Sequence, residues 1–313
     1  MSKKALKEAI IKKQNGHCAL SEKPLRLAFD LVDTDRVIPK HLGGIYTNEN
    51  TRIVDPVEHM KRHGNYRERL EEIKELKTMV DGREQLLKTV NGINNRLLAM
   101  KRGTDQLDET TVEWLNSQLE TSKSHLGKAD RRIEKYVKKM NNPIASSAMK
   151  IKGLGAITIA YMLAYVDIFK ANHASSLWAY CGYDKPSHSR YTKGESGGGN
   201  KRMRCVLFRM ADSMIKTRSV YRDVYDREKQ KLSTSEKVTK TRNTQGKLID
   251  AKWKETKPSH RHGAAMRKMI KHFLTDWWFV HRTFENLETR PLYVQEKMGH
   301  KGIIKPEERG WQY

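Results

Sequence analysis

The chain has 313 residues, and its 61 Lys and Arg against 37 Asp and Glu give a formal charge of +24. Such an excess argues against an acidic, solvating chain and for a polyanionic partner, since neutralising phosphates releases condensed counterions. No apolar run is long enough to span a bilayer and no signal-peptide core is present, so no membrane partner is expected. Cys18, Cys181 and Cys205 are odd in number and far apart, which excludes a disulfide scaffold and fits a reducing, cytoplasmic compartment. The length suggests two domains or more.

Met1 to Lys13 is a short basic amphipathic stretch. The next informative segment is 33–63, DTDRVIPKHLGGIYTNENTRIVDPVEHMKRH. The apolar pair Leu31-Val32 leads to Asp35-Arg36, followed by Gly43-Gly44, Asn50 and a predicted helix carrying His59 and His63. Positions four apart share one helix face, so the two imidazoles can converge on one point. That spacing suits metal binding, and Asp35 offers a hard oxygen ligand. Either histidine alone reads better as part of a solvated basic face; the ordered coincidence of all these residues favours a site.

At these residues the segment resembles the HNH (ββα-metal) nuclease motif. The resemblance implies that Asp35, His59 and His63 ligate one Mg²⁺ or Mn²⁺, that Asn50 fixes the loop, and that Lys61 and Arg62 contact nucleic acid. It also implies hydrolysis of a phosphodiester by a base-activated water. Arg36 stands where most of that family places the base histidine. It can clamp a phosphate but cannot accept a proton, which leaves His41 as the substitute base. The positions of the zinc knuckles of many such modules read Cys18, Ser21, Asp55 and Glu58, and one thiolate cannot make a tetrahedral sulfur site, so no structural zinc is expected.

From Tyr66 to Met140 the pattern is helical. Val112, Leu115, Leu119, Ser122, Leu126, Ala129, Ile133, Tyr136 and Met140 alternate three and four apart, the heptad spacing of a coiled coil. A looser seam (Ile73, Leu76, Val80, Leu87, Val90, Leu97) has Arg83 and Asn94 at seam positions. Between the two, KRGTDQLD at 101–108 carries the Gly and capping residues of a helix connection. An antiparallel hairpin follows, with a homo-oligomer (dimer or higher) formed through it; a pair packed only on its own chain is the alternative. Polar seam residues fix register at a cost in stability.

Gly153 and Gly155 precede an apolar helix, and Gly-rich turns before helices let backbone amides approach a phosphate. The stretch 151–167 resembles a helix-hairpin-helix; an ordinary interhelical turn fits the same residues. Beyond it come Phe169, Leu177-Trp178-Ala179-Tyr180-Cys181-Gly182, Pro186, Gly199-Asn200 and Arg204, opening a further apolar helix. This part resembles the C-terminal domain of the insertion-sequence one-ten (DEDD-type) transposases. That family carries an acidic RuvC-like nuclease domain before its coiled coil, and here the HNH-like segment stands in its place. The resemblance implies a serine nucleophile, for which Ser187 and Ser189 are the candidates, and DNA contacts from Gly153, Gly155, Lys193, Lys201, Arg202 and Arg204. A Ser/Gly-rich basic loop is more simply a flexible phosphate-binding loop, and serine catalysis is not expected.

Residues 226–262 are polar and basic, with 231–247 the best candidate for a mobile segment ordering on nucleic acid. From Gly263 an amphipathic helix is predicted, with Met266, Met269, Ile270, Phe273, Leu274, Trp277 and Trp278 on its core side and Arg267, Lys268, Lys271 and His272 opposite. The tail is uninformative.

The expected architecture is mainly α: an HNH-like module (1–65), a coiled-coil hairpin (66–145), a helix-hairpin-helix-like DNA-binding domain (146–225), a mobile basic segment (226–262) and a basic amphipathic helix with its tail (263–313). The expected function is a metal-dependent DNA endonuclease with double-stranded DNA as partner, in a prokaryotic or phage-encoded, nucleoid-associated protein. The alternatives are a recombinase guided by a structured RNA, or a DNA-bridging protein with a degenerate site.

Overall fold

Two four-residue strands, β1 (Asp33–Arg36) and β2 (Thr51–Val54), pair antiparallel with Asp35 opposite Arg52. They belong to a computed structural model that describes residues 3–25, 32–38, 45–140, 142–184, 198–285, 287, 289 and 304–313, with backbone alone for residue 3 and for 56–70. The chain divides into two units, Met1–Glu72 and Ile73–Tyr313.

In the first unit, helix α1 (Lys3–Lys13) lays Ile10 against Val32 and Ile53, with Leu6, Ile11 and Leu25 around them. Gln14 extends the pairing: its Oε1 accepts from the Ile53 amide at 2.8 Å and its Nε2 donates to the Ile53 carbonyl at 3.0 Å. A tight turn at 16–25 follows, with the Cys18 amide donating to the Lys23 carbonyl and Leu25 to Gly16. Directly after β2, Pro56 opens helix α2 (Pro56–Lys101). Proline suits the first helical position because its missing N–H would find no partner there and its φ is already helical. The first unit therefore runs helix, strand, strand, helix. Helix α2 is one 46-residue helix that runs through both the boundary expected at 65/66 and the division between the two units.

In the second unit α2 and α3 (Glu109–Lys139) run antiparallel. The direction follows from two contacts: Tyr136 donates to Glu75 at 2.8 Å, while Asp130, earlier on α3, takes Arg83, later on α2, at 2.5 Å. Asp108 caps α3 by accepting from the Thr111 amide, satisfying one of the orphan donors of a helix start. Along the expected α3 seam every residue is buried or half-buried, Leu115, Leu119, Ile133 and Met140 fully so.

Beyond the hairpin come α4 (Pro143–Ala148), α5 (Ala156–Tyr165), α6 (Ala174–Tyr180), α7 (Lys201–Lys216), α8 (Arg222–Thr234) and α9 (Pro258–Phe284). Helix α5 is apolar nearly throughout and buries Ile159 to Leu163 between α3 and α7. Helix α9 packs on α4, α6, α7 and α8. Its Trp277 and Trp278 are core residues as expected, and the Trp278 indole donates to the Ala171 carbonyl at 2.7 Å.

Two parts of the second unit depart from expectation. The segment thought mobile has regular secondary structure, since α8 continues to Thr234 and is followed by a hairpin of β3 (Val238–Arg242) and β4 (Leu248–Lys252). Sparse apolar periodicity hid the hairpin, because neither of its faces is buried. The tail carries a core anchor: Arg309 and Trp311 are 6% and 2% exposed and close over α9.

Candidate nucleic-acid interface

In the first unit the β1–β2 hairpin brings together Asp35, Arg36 and Asn50. Asn50 ties the connection, its Oδ1 accepting from the Ile38 amide at 2.6 Å while its Nδ2 donates to the carbonyls of Ile38 and Ile45 at 3.2 and 2.7 Å. Asp35 is 6% exposed, and its Oδ2 accepts from Nε and Nη2 of Arg52 at 3.0 and 2.9 Å. The Arg36 guanidinium lies 4.2 Å from the centre of the Tyr46 ring, a cation–π stack that holds it at the hairpin end. His59, Lys61, Arg62 and His63 fall in α2, but their side chains lie outside the described residues, as does His41. Among the described residues no three His, Cys, Asp or Glu side chains gather around a common point.

Of the expected donors, the Asp35 carboxylate suits Mg²⁺ or Mn²⁺, while imidazole suits zinc, copper, iron or nickel. Ligating carboxylates are ordinarily oriented by a further hydrogen-bond donor, and a carboxylate offers about four acceptor sites. Arg52 fits that orienting part: it spends both contacts on one oxygen of Asp35 and fixes the plane of the group. Sequence reading missed Arg52, although its position opposite Asp35 is what an antiparallel hairpin requires.

Cys18 is 2% exposed, and its sulfur accepts from the amides of Asp55 and Leu20 at 3.2 and 3.4 Å. Burial raises the thiol pKa, but hydrogen bonds from the Ser21 hydroxyl and from the Asp55, Leu20 and Ser21 amides outweigh it, and the net effect is a lowering. Backbone amides of Asp55 and Leu20 thus surround a sulfur that has no other thiolate beside it among the described residues.

In the second unit Gly153 (φ +86°) sits so close to α7 that a Cβ there would lie 2.5 Å from Thr217 Oγ1 and 2.9 Å from Met214 Cα. Its lack of a side chain serves helix packing. Gly155 is the N-cap of α5, with open space around its Cα. Ser187, Ser189 and Lys193 lie outside the described residues. The two ends flanking them are pinned together: the Asn200 amide donates to the Tyr180 carbonyl at 2.5 Å, and the Asn200 side chain reaches the Tyr180 hydroxyl at 3.0 Å. A Cβ on Gly199 (φ +86°) would stand 2.5 Å from the Gly182 amide nitrogen.

Asn200 also caps α7, accepting from the amides of Arg202 and Met203. The helix buries Met203, Val206, Leu207, Met210, Ala211 and Met214 on one side. The 3.6-residue period then turns Lys201, Arg204, Cys205, Phe208 and Arg209 the other way. These residues, with Arg267 of α9 and Leu87 and Asn91 of α2, line an open groove of about 820 Å³. Phe208 is 50% exposed in it. A basic groove with an exposed aromatic ring offers phosphates their counter-charges and a base a stacking surface. Phe208 and Arg209 were missed in the sequence, where the outward stripe of the α7 pattern was the signal that could have found them; Arg267 was read there only as part of the basic face of α9.

Arg202 differs from its neighbours. Its Nη1 donates to Asp81 Oδ1 at 2.6 Å and to the Tyr165 hydroxyl, and its Nε lies 3.7 Å from Glu84. Tyr165 donates in turn to Asp81, and Tyr161 to Glu84. Burial, then the hydrogen bond to Glu84, pushes the Tyr161 hydroxyl up to about 12. Burial alone would raise Asp81, but hydrogen bonds from Tyr165, Arg202 and Lys77 bring its pKa down. Arg202 thus joins α7 to α2 and α5, and with Glu84 it forms part of the wall of the groove that Lys201 and Arg204 line.

No curated protein and no solved structure matches the chain. Residues 145–226 match the model of the transposase IS116/IS110/IS902 family, and the part of the protein from α4 to the start of α8, which carries the outward basic face of α7, is a transposase-like region.

Proposed function

We propose that this protein acts on DNA as a transposase-type enzyme: the second unit holds the nucleic acid along the α7 groove, and the first unit cuts it as a metal-dependent phosphodiesterase. The observation that carries the reading is the coincidence of the transposase-like region with the groove, since Lys201, Arg204, Phe208 and Arg209 lie within residues 145–226.

In the first unit Asp35, His59 and His63 would hold one Mg²⁺ or Mn²⁺, whose chemistry there is to polarise the scissile phosphate. Arg52 orients Asp35, and Asn50 fixes the loop beside it. Arg36, a permanent cation at the hairpin end, offers a clamp for a phosphate oxygen. His41 is the proposed base.

The test is nicking of supercoiled plasmid by ribonuclease-treated protein in Mg²⁺. Asp35→Ala and His59→Ala should abolish nicking while leaving binding intact. Lys201→Ala with Arg209→Ala should weaken binding and reduce its logarithmic salt slope by about 2. Nicking untouched by the first pair sinks the catalytic assignment, and binding untouched by the second sinks the groove. A second reading, a DNA-bridging protein with a degenerate site, is favoured by the Asp35–Arg52 ion pair, which sets a fixed cation beside the one described ligand. Tight salt-sensitive binding without cleavage in any divalent ion selects it.

A further inference from the structure

The β3–β4 hairpin is exposed or half-buried along its length, and Lys240, Arg242 and Leu248 line an open pocket with Lys257 and His260 at the start of α9. No residue from Val238 to Lys252 is buried, and Val238, Leu248 and Ile249 are 66, 47 and 41% exposed. A two-stranded ribbon on its own is marginal in water, but this one is clamped at its base. The Trp253 amide donates to the Lys237 carbonyl at 3.0 Å, Lys254 donates to the Ser235 carbonyl at 3.1 Å, and Arg261 donates to the carbonyls of Trp253, Lys254 and Thr256. The Trp253 ring lies 5.1 Å from that of His260 on α9. Glu236 is taken up by Lys252 and Lys254 at 2.8 and 2.5 Å.

That leaves the outer part of the ribbon with Lys240, Arg242 and Lys247 against the single carboxylate of Asp250. The tip is ordered by Asn243, whose Oδ1 accepts from the amides of Gln245 and Lys247. It presents Thr244 and Gln245 outward.

We propose that this hairpin enters the major groove of duplex DNA, its basic residues on the flanking phosphates and the tip against base edges. The proposal rests on the reading of the protein as DNA-acting and adds a second contact, separate from the α7 groove. Three features select this partner. A two-stranded ribbon fits the roughly 12 Å width of the B-form major groove, whereas the deep, narrow major groove of A-form RNA excludes it. Five residues per strand span roughly 17 Å, which is about five base pairs of rise. Edge lysines and arginines oppose pairing with a second copy of the ribbon.

The test uses the full-length protein with a fluorescent 30-base-pair DNA duplex, comparing wild type with the Lys240→Ala, Arg242→Ala, Lys247→Ala triple variant. The expected result is a salt slope smaller by about 3, with dimethyl sulfate protection of guanine N7 over roughly five base pairs present in wild type and lost in the variant. Placing a photo-crosslinking phenylalanine at position 244 of the otherwise wild-type chain should label a base, which keeps the proposal testable should the triple variant fold poorly. Equal slopes and equal footprints overturn the hairpin proposal and leave the transposase-type reading standing. Absence of duplex binding by wild type overturns both. A change in sedimentation alone makes the ribbon a self-association surface and overturns it as a DNA contact.

Discussion

Arg52 places Nε and Nη2 at 3.0 and 2.9 Å from one oxygen, Oδ2, of Asp35 across the first hairpin, with both side chains less than a tenth exposed. Removing one partner of a buried pair strands a charge and costs about 3–5 kcal/mol, whereas removing both costs less. Arg52→Met should therefore destabilise the first unit by about 3 kcal/mol, and Asp35→Leu with Arg52→Met should cost less than the sum of the single changes. A denaturant double-mutant cycle measures the coupling; simple additivity means the pair contributes nothing.

Arg83 occupies a seam position of the α2–α3 hairpin and is 8% exposed, meeting Asp130 at 2.5 Å and the Tyr161 hydroxyl at 3.2 Å. Asp130 is about a third exposed, so solvent weakens the pair, and Arg83→Met should cost about 2 kcal/mol in line with hydrogen bonds to charged groups. The larger consequence is register: the substitution removes one of the polar seam residues, beside Asn94 and Ser122, that favour one alignment. Trapping of the native alignment by a long bifunctional thiol reagent between cysteines placed at Glu75 and Tyr136, whose side-chain ends meet there, should become inefficient. Unchanged trapping means register is set elsewhere.

His272 is held neutral: burial first, then the charges of Arg309, Lys268 and Arg227, bring it down to about 4. As pH falls from 6.5 towards 4 the unfolded chain takes up a proton that the folded one refuses, so His272 subtracts stability over that span. Asp276 acts oppositely: burial raises it to about 6 against the Arg309 charge and the hydrogen bonds of Tyr221 and Arg309, so the folded chain gains its proton first and stability rises as pH falls from 6 towards 4. In His272→Gln only the second effect remains. The variant should gain stability relative to wild type between pH 6.5 and 4.5, read from urea midpoints; parallel profiles would falsify the assignment.

Gly199 and Gly153 both carry φ of +86° and leave no room for a methyl group. Positive φ and the close contacts together cost on the order of 1–3 kcal/mol for alanine. Gly199→Ala should also loosen the clasp between Asn200 and Tyr180, seen as faster proteolysis of the folded chain. Gly153→Ala should lower the melting temperature without that cleavage.

Charge and local pattern were legible from residue types alone. Net charge is a sum, so +24 pointed to a polyanion without any coordinates. Helical periodicity is local, so the apolar seam of α3 and the core face of α9 with Trp277 and Trp278 could be read in advance. Tertiary structure decided the rest, because those features depend on which distant segments meet. It paired Asp35 with Arg52, seventeen residues on, and drew Arg202 towards Asp81, 121 residues away. It closed the tail over α9 through Arg309 and Asp276. It held the β3–β4 ribbon by backbone hydrogen bonds at its base, which leave no mark in side-chain hydrophobicity. Periodicity reports what a segment buries; which opposite charges share that burial is settled only when the chain returns on itself.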